Sequence, residues 1–311
     1  MAGYKELSQK ELKERIESLE GILESCELCP RRCGVNRLKG KIGYCKSGIL
    51  PKIASWNLHF GEEPPISGMK GSGTIFFSNC TMKCVFCQNY PISQLGVGKE
   101  VSIETLANYM LELQKKGAHN INFVTPTHFV PQMIKAIYLS SQKGLSIPIV
   151  YNTSGYERVE ILKLLEGIID IYLPDAKYSS NKYALKYSDC MNYVEYNRKA
   201  LIEMYSQVGL LKLDKNGIAQ KGLIIRHLVL PKNIAETEKT LAFIKENLSN
   251  KVHISLMSQY FPANKAHKFP EISQKITRDE FIKACEIFDK LGFENGWIQP
   301  YINEKPDIFH V

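Results

Sequence analysis

GSGTIFFSNCTMKCVFCQNYPIS, residues 71–93, is the stretch on which the reading of this chain turns. TIFFS (74–78) is a short apolar run of β-branched and aromatic residues bounded by Gly and Asn, the pattern of a buried strand. Cys80, Cys84 and Cys87 follow it at once, so they are expected at the strand's C-terminal end. A loop brings three thiolates at this spacing round one face of an iron–sulfur cube. Most clusters that only carry electrons take four cysteines. A three-cysteine loop leaves one iron free of protein, and an open coordination position means chemistry at the metal. The competing readings are zinc held by three cysteines and a remote His, or accidental clustering.

Downstream, apolar runs alternate with helical patterns. INFVT (121–125), IPIVYN (147–152), IIDIYL (168–173), LIIRHLVL (223–230) and VHISLM (252–257) read as further strands. Helices are expected over about 102–116, 131–143, 156–166, 181–208 in pieces, 234–248 and 278–291, with Ser102 as an N-cap and Gly117 and Gly144 as stops. Strand–helix alternation implies parallel strands with crossover helices. Six units are too few for a closed eight-stranded barrel, so the fold class is α/β, a partial (β/α)6 TIM-like barrel. Chemistry should then collect at the C-terminal ends of the strands.

Upstream, YKELSQKELKERIESLEGILE (4–24) reads as a charged amphipathic helix, a packing arm. Cys26, Cys29, Cys33 and Cys45 follow in a stretch without apolar periodicity, whose charges from Leu28 to Lys46 are all positive. Four thiolates suffice for a closed tetrahedral site, and flanking cations offset their charge. A structural zinc knot, an auxiliary iron–sulfur cluster and a basic docking module all remain open. GEEPPISGMKGSG (61–73) reads as a Pro/Gly linker. The expected layout is therefore a four-cysteine appendage over 1–60, the linker, and the barrel over 74–311. Cys190 and Cys285 stand alone and read as small apolar residues of helix-like segments.

The 311 residues are 44% hydrophobic and 23% charged, ordinary for a globular chain. No run approaches the roughly 20 apolar residues of a membrane span, and the charged N-terminus lacks a signal-peptide core. A cytosolic protein with no membrane partner is expected. Clustered cysteines in that setting argue for metal rather than disulfides. The formal net charge of +8 is spread along the chain, so a nucleic-acid partner is not expected.

The cysteine motif after the first strand resembles the signature of the radical S-adenosylmethionine (SAM) enzymes, and residues 71–93 resemble the branch of the pyruvate formate-lyase-activating enzymes. Phe86, before the last cysteine, fits that pattern. The likeness runs over residues 71–262. Asn152-Thr-Ser-Gly155 resembles a D-T-N-G stretch, with Asn152 in place of the acid. Asp175-Ala-Lys177 resembles a D-x-K in which the Lys meets the SAM carboxylate and the Asp helps hold a monovalent cation. Arg226, in Ile225-Arg226-His227, resembles an Arg that approaches SAM. Ser255 to Tyr260 resembles the segment near the radical. The family's G-G-E stretch, which meets the SAM amino group, is replaced by Thr125-Pro126-Thr127-His128, leaving that contact to Thr127 or a backbone carbonyl. CELCPRRC (26–33) resembles the N-terminal extension of several activating-enzyme-like proteins of unassigned activity.

The resemblance implies a 4Fe–4S cluster on Cys80, Cys84 and Cys87, with Asn152, Asp175, Lys177 and Arg226 around SAM. It implies SAM cleavage to a 5′-deoxyadenosyl radical, an electron donor such as flavodoxin or ferredoxin, and hydrogen abstraction from a protein or peptide substrate. A small metabolite, an RNA base, or a scaffold without enzymatic activity are the other readings. Taken alone, Lys177 also reads as a surface lysine and Asp175 as a helix cap. Arg226 and His227 lie in one strand, so one faces the interior and the other the helices. An unpaired buried Arg is costly, which turns Arg226 toward a polar cofactor.

Overall fold

The structure, a computed structural model, describes residues 2–301, so the stretch 302–311 of the expected barrel lies outside the described residues. The N-terminal helical pattern divides into a short 3-10 turn (Gly3–Lys5), α1 (Gln9–Gly21) and a second turn (Ile22–Ser25). Ser8 caps α1: its hydroxyl accepts the Glu11 N–H at 3.2 Å, while the Glu11 carboxylate accepts the Ser8 N–H at 2.9 Å. The strand β1 (Lys52–His59) and the one-turn α2 (Pro64–Ser67) come next, then β2 (Ser72–Phe77), the one-turn α3 (Tyr90–Ser93) and the two-residue β3 (Lys99–Glu100).

Alternation then sets in as expected. It runs through α4 (Ile103–Lys115), β4 (Ile121–Val124), α5 (Val130–Gln142), β5 (Ile149–Thr153), α6 (Val159–Lys163) and β6 (Ile171–Pro174). After these come α7 (Asn181–Ser188), α8 (Tyr193–Val208), β7 (Lys212–Leu213), β8 (Ala219–Leu228), α9 (Thr237–Asn247), β9 (His253–Met257), α10 (Arg278–Lys290) and β10 (Gly296–Ile298). Ser102 caps α4 by accepting the Thr105 N–H, and Gly117 and Gly144 follow α4 and α5 at φ 91° and 98°. Positive φ is costly for residues with a Cβ, so helices stop where glycine supplies it.

The sheet order is β10-β9-β8-β6-β5-β4-β2-β1-β3, with β7 beside β8. The pairs from β2 through β10 along this path are parallel, and β1 is antiparallel to both β2 and β3. The sheet is open, as a partial TIM-like barrel should be. A seventh parallel strand, β10, follows the six expected. In register, Phe76 pairs with Val124, Val124 with Asn152, Asn152 with Leu173 and Arg226 with Ser255. The six strand ends therefore lie along one rim, and each residue just past an end is delivered to the same place.

Two expectations need correction. Residues 61–73 do not separate two cores. β1 lies before them and pairs with β2 from Ile53 opposite Phe77 to His59 opposite Ser72. Ile66 is fully buried and packs inside the barrel with Val150, Ile171, Leu173, Ala219 and Ile224. Nor do residues 1–60 form a separate appendage. Leu12, Ile16, Leu19, Leu23 and Leu28 share one core with Phe123, Ile134 and Ile137. Asp170 takes the N–H of Gly3 at 2.7 Å and of Ile149 at 2.8 Å, tying the N-terminus to the barrel. A segment of this size buries too little surface to hold a core of its own, which is why it uses the barrel's.

Candidate functional site

A cavity of about 590 Å³ opens at the C-terminal rim. Its lining includes Cys80, Cys84, Cys87, Asn152, Asp175, Lys177 and Arg226, the seven residues that the resemblance puts at the cluster and around SAM. Cys80 and Cys84 lie just past β2, and the loop is pinned from outside. Lys83 and Val85 donate their N–H groups to the carbonyls of Ser188 and Tyr187 at 3.0 and 2.8 Å. The Met82 N–H reaches the Cys80 sulfur at 3.3 Å, the Ser188 hydroxyl donates to Cys84 Sγ at 3.1 Å, and Cys87 Sγ meets Ser93 Oγ at 3.2 Å. Burial pushes the Cys80 thiol up to about 12 and Cys84 up to about 11, with Lys177 pulling Cys84 the other way. Thiols so buried become thiolates only beside a cation or metal.

On the facing wall Lys177 Nζ lies 2.5 Å from Asp175 Oδ2. Burial works against the ammonium, but Asp175 and Cys84 outweigh it and hold its pKa above the ordinary lysine value. Lys177 is thus neither a surface lysine nor remote from the cysteines, and Asp175 forms an ion pair instead of capping a helix. Arg226 faces the cavity, while His227 points away. His227 Nδ1 meets the Ala176 carbonyl at 2.7 Å and Nε2 meets Thr237 Oγ1 at 3.0 Å.

The sequence reading missed what holds Arg226. Its Nε and Nη2 donate to Glu63 Oε1 and Oε2, each at 2.7 Å, Nη2 also reaches Glu62, and Nη1 approaches Asn152 Oδ1 at 3.4 Å. Burial opposes the guanidinium's charge, Glu63 and Glu62 outweigh it, and Arg226 stays charged. Burial would raise Glu62, but a hydrogen bond from His59 and the field of Arg226 bring it down to about 2. The available signal was an interior Arg that needs a countercharge, beside two adjacent carboxylates in a stretch read as linker.

Thr127 does not line the cavity. Its hydroxyl donates to the buried Glu157 at 2.5 Å, and Thr153 donates to the same carboxylate. Burial raises Glu157 to about 7. Thr127 is therefore spoken for, and Thr125 occupies the rim instead, at φ 58°. A β-branched residue in that region is strained, and such strain concentrates at sites that need a particular backbone direction. His128 is a core residue: Nε2 meets the Ser78 carbonyl at 2.8 Å and burial lowers it to about 3. Ser255, Met257 and Gln259 line the cavity, but Tyr260 is buried beside Phe86 and donates to the Ile272 carbonyl at 2.6 Å. Cys190 is fully buried and Cys285 half-buried.

Cys26, Cys29, Cys33 and Cys45 line a second, very small cavity with Arg31 and Arg37 on its wall. Among the described residues no group of three or more His, Cys, Asp or Glu side chains stands gathered as a ready metal site. The rim cavity fits an open-sided cluster with a chelating ligand. It offers three thiols and no fourth cysteine, cations opposite them, and a volume within the range of cofactor pockets. Among the described residues, no helix is long and apolar enough to cross a membrane.

Residues 74–244 match the family model of the radical SAM superfamily, more than half of the chain, and the chain belongs to that superfamily. A relative, the uncharacterized protein MJ0674 of Methanocaldococcus jannaschii, is 33% identical over 290 residues, covering 90% of this chain and 79% of its own. The fold is similar to that of the FeFe-hydrogenase maturase HydG from Carboxydothermus hydrogenoformans, with TM-score 0.51 and 12% identity over 75% of this chain and 53% of that one. It is also similar to Streptococcus suis SuiB, with TM-score 0.50 and 11% identity over 74% and 48%. This chain spans about half of each solved chain, and identity so low speaks to fold alone. The family implies a 4Fe–4S cluster and SAM. The narrower likeness to glycyl-radical activating enzymes does not follow from these matches.

Proposed function

We propose that the protein cleaves SAM reductively at a 4Fe–4S cluster on Cys80, Cys84 and Cys87 and directs the resulting hydrogen abstraction at a protein or peptide. The observation that carries this reading is the single cavity on which three thiols, Lys177, Asn152 and Arg226 converge. When bound, the reduced cluster supplies the electron that breaks SAM to a 5′-deoxyadenosyl radical. The protein's own work is orientation and exclusion of water. Lys177 offers an ammonium to a carboxylate once Asp175 yields or shares it. Asn152 presents a neutral amide where the activating enzymes carry an acid. Arg226, locked by two carboxylates, is a rigid wall whose hydrogen bonds are largely used. Met82, Met257, Trp297 and Ile298 give the site apolar walls.

A macromolecular substrate is favoured by the rim. Phe60 and Phe261 lie next to cavity-lining segments and are 62% and 51% exposed. Phe60 and Phe261 give a protein or peptide laid across the mouth apolar rings to pack against. A cytosolic setting and a low-potential donor such as flavodoxin or ferredoxin accord with reduced, metal-binding thiols. The substrate class is tested by supplying the reduced enzyme with SAM and either the protein or the small-molecule fraction of a deuterium-labelled lysate. Deuterium in 5′-deoxyadenosine from the protein fraction supports the reading, and label from the small-molecule fraction alone overturns it.

A further inference from the structure

The rim cavity is lined from two ends of one strand. Cys80, Cys84 and Cys87 lie past the last residue of β2, whereas His59, at the end of β1, pairs with its first residue, Ser72. All four line the same cavity. Their backbones are set apart by the length of β2, roughly 20 Å at the rise of a strand. A ligand chelating an open iron takes the thiol end, where Asp175 and Lys177 also lie. The end walled by His59, Gly61 and Glu62 is left for a substrate.

Most charged groups along the cavity are engaged with one another. Lys177 pairs with Asp175, and Arg226 with Glu62 and Glu63. His59 keeps a titratable atom free. Its Nδ1 lies 3.0 Å from Glu62 Oε1, and its Nε2 makes no hydrogen bond to any described residue. The Glu62 side chain is 6% exposed and held from behind by Arg226, whereas that of His59 is 39% exposed. The Phe76 ring stands edge-on to the imidazole at 6.3 Å. Gly61 leaves the Nε2 edge open, since a Cβ there would stand 3.2 Å from Cε1 and 3.6 Å from Nε2. Arg226, Glu62 and His59 thus form a chain in which each member orients the next, the arrangement of a base and its orienter. Glu62 raises the pKa of His59 above the ordinary 6.5, against burial and the field of Arg226.

We propose that His59, positioned by Glu62, is the acid–base residue of the substrate end, where its Nε2 takes the proton of an O–H, N–H or S–H group borne on the carbon that loses hydrogen. The bond from heteroatom to hydrogen breaks, an N–H bond forms at Nε2, and the electron pair stays on the heteroatom. The carbon then gives up its hydrogen atom from a C–H bond weakened by the adjacent anion. No electron passes through His59, and its proton goes on to water. This rests on the proposed function and narrows the substrate to one whose reacting carbon carries such a group.

The first test needs no cofactor. NMR of the full chain labelled at histidine, with His59 assigned by its loss in His59→Gln, follows both ring nitrogens across pH. His59 should titrate above 6.5, its neutral form should carry the proton at Nδ1, and Glu62→Gln should move the titration down. A neutral form protonated at Nε2 overturns the proposal, as does a titration that Glu62→Gln leaves in place. The second test follows deuterium from the labelled protein fraction into 5′-deoxyadenosine against pH. The neutral imidazole is the active form, so transfer should rise with pH through the His59 titration. His59→Gln should lose that limb and about a hundredfold or more in rate, and Glu62→Gln should move the limb to lower pH. A limb unchanged in both variants overturns the proposal. Should His59→Gln fail to fold, the shift between wild type and Glu62→Gln decides alone. Wild type that takes deuterium only from the small-molecule fraction refutes the protein substrate alone, and the same profile on that fraction then tests His59. Transfer from neither fraction overturns both.

Discussion

Lys177 and Arg226 are both cations at strand ends facing the same cavity, yet they differ in what holds them. Lys177 has one acidic partner, at 2.5 Å, whereas Arg226 has two carboxylates and an amide. Lys177 is therefore the cation free to exchange its partner for a ligand carboxylate. A charge-assisted hydrogen bond of this kind contributes roughly 1.5–3 kcal/mol. Lys177→Ala should weaken SAM binding by about one to two orders of magnitude, at about 1.4 kcal/mol per tenfold. Equal affinity of the two proteins in a binding titration would reject the role.

Glu157 supplies a pH dependence. Burial raises its folded pKa to about 7 from an ordinary 4.5, against the hydrogen bonds that Thr127 and Thr153 donate to it. The folded state therefore binds the proton more tightly than the unfolded state. Nothing is lost below pH 4.5, and stability falls as pH rises towards 7. Glu157→Gln keeps the shape without the charge. It should be more stable than wild type at pH 8, by up to about 3 kcal/mol at 1.36 kcal/mol per pKa unit, and about equal at pH 4.5. Denaturant titrations at the two pH values that gave the same difference would contradict the assignment.

Elements were legible in proportion to their burial. β2, β4, β5, β6, β8 and β9 are covered on both faces, so each reads as a nearly continuous apolar run. β1 buries only Ile53 and otherwise mixes half-buried and exposed residues, and β3, β7 and β10 span only two or three residues, too few to show a period. The 61–73 stretch looked like a linker because Pro and Gly mark chain reversals wherever they occur. Sequence alone does not say that this reversal plugs a barrel with Ile66 and delivers Glu62 and Glu63 to Arg226. Similarly, α1 reads as an amphipathic arm, but its partner, α5, is over a hundred residues away.

The single-core arrangement has a direct consequence. Leu19 is fully buried in α1, so Leu19→Ala should destabilise the whole molecule by about 2–5 kcal/mol. Barrel and N-terminal probes should shift together. A barrel transition left unchanged, with only the N-terminal segment loosened, would restore the reading of a separate appendage.

At the scale of the molecule, an open parallel sheet turns local sequence into a site by register. Residues far apart in the chain are brought to one rim because each lies at or just past the C-terminal end of a strand, and Cys80, Asn152, Asp175 and Arg226 could be picked out before any contact was known because the motifs that carry the family resemblance fall at those ends. Contacts between elements were not legible in the same way. The Glu pair on Arg226, the loss of Thr127 to Glu157, and the fastening of one cysteine loop onto the other by Arg31 and Asn79 depend on packing that no local pattern encodes. The superfamily rests on the whole of 74–244, whereas the substrate depends on rim residues whose partner the fold does not name.

The account stands on the three thiols at the end of β2. The most direct measurement is formation of 5′-deoxyadenosine by anaerobic protein reconstituted with iron and sulfide, reduced with dithionite and supplied with SAM. Wild type should form it, and the Cys80/Cys84/Cys87→Ala variant should form none while remaining folded. Equal 5′-deoxyadenosine from both proteins would contradict the central claim.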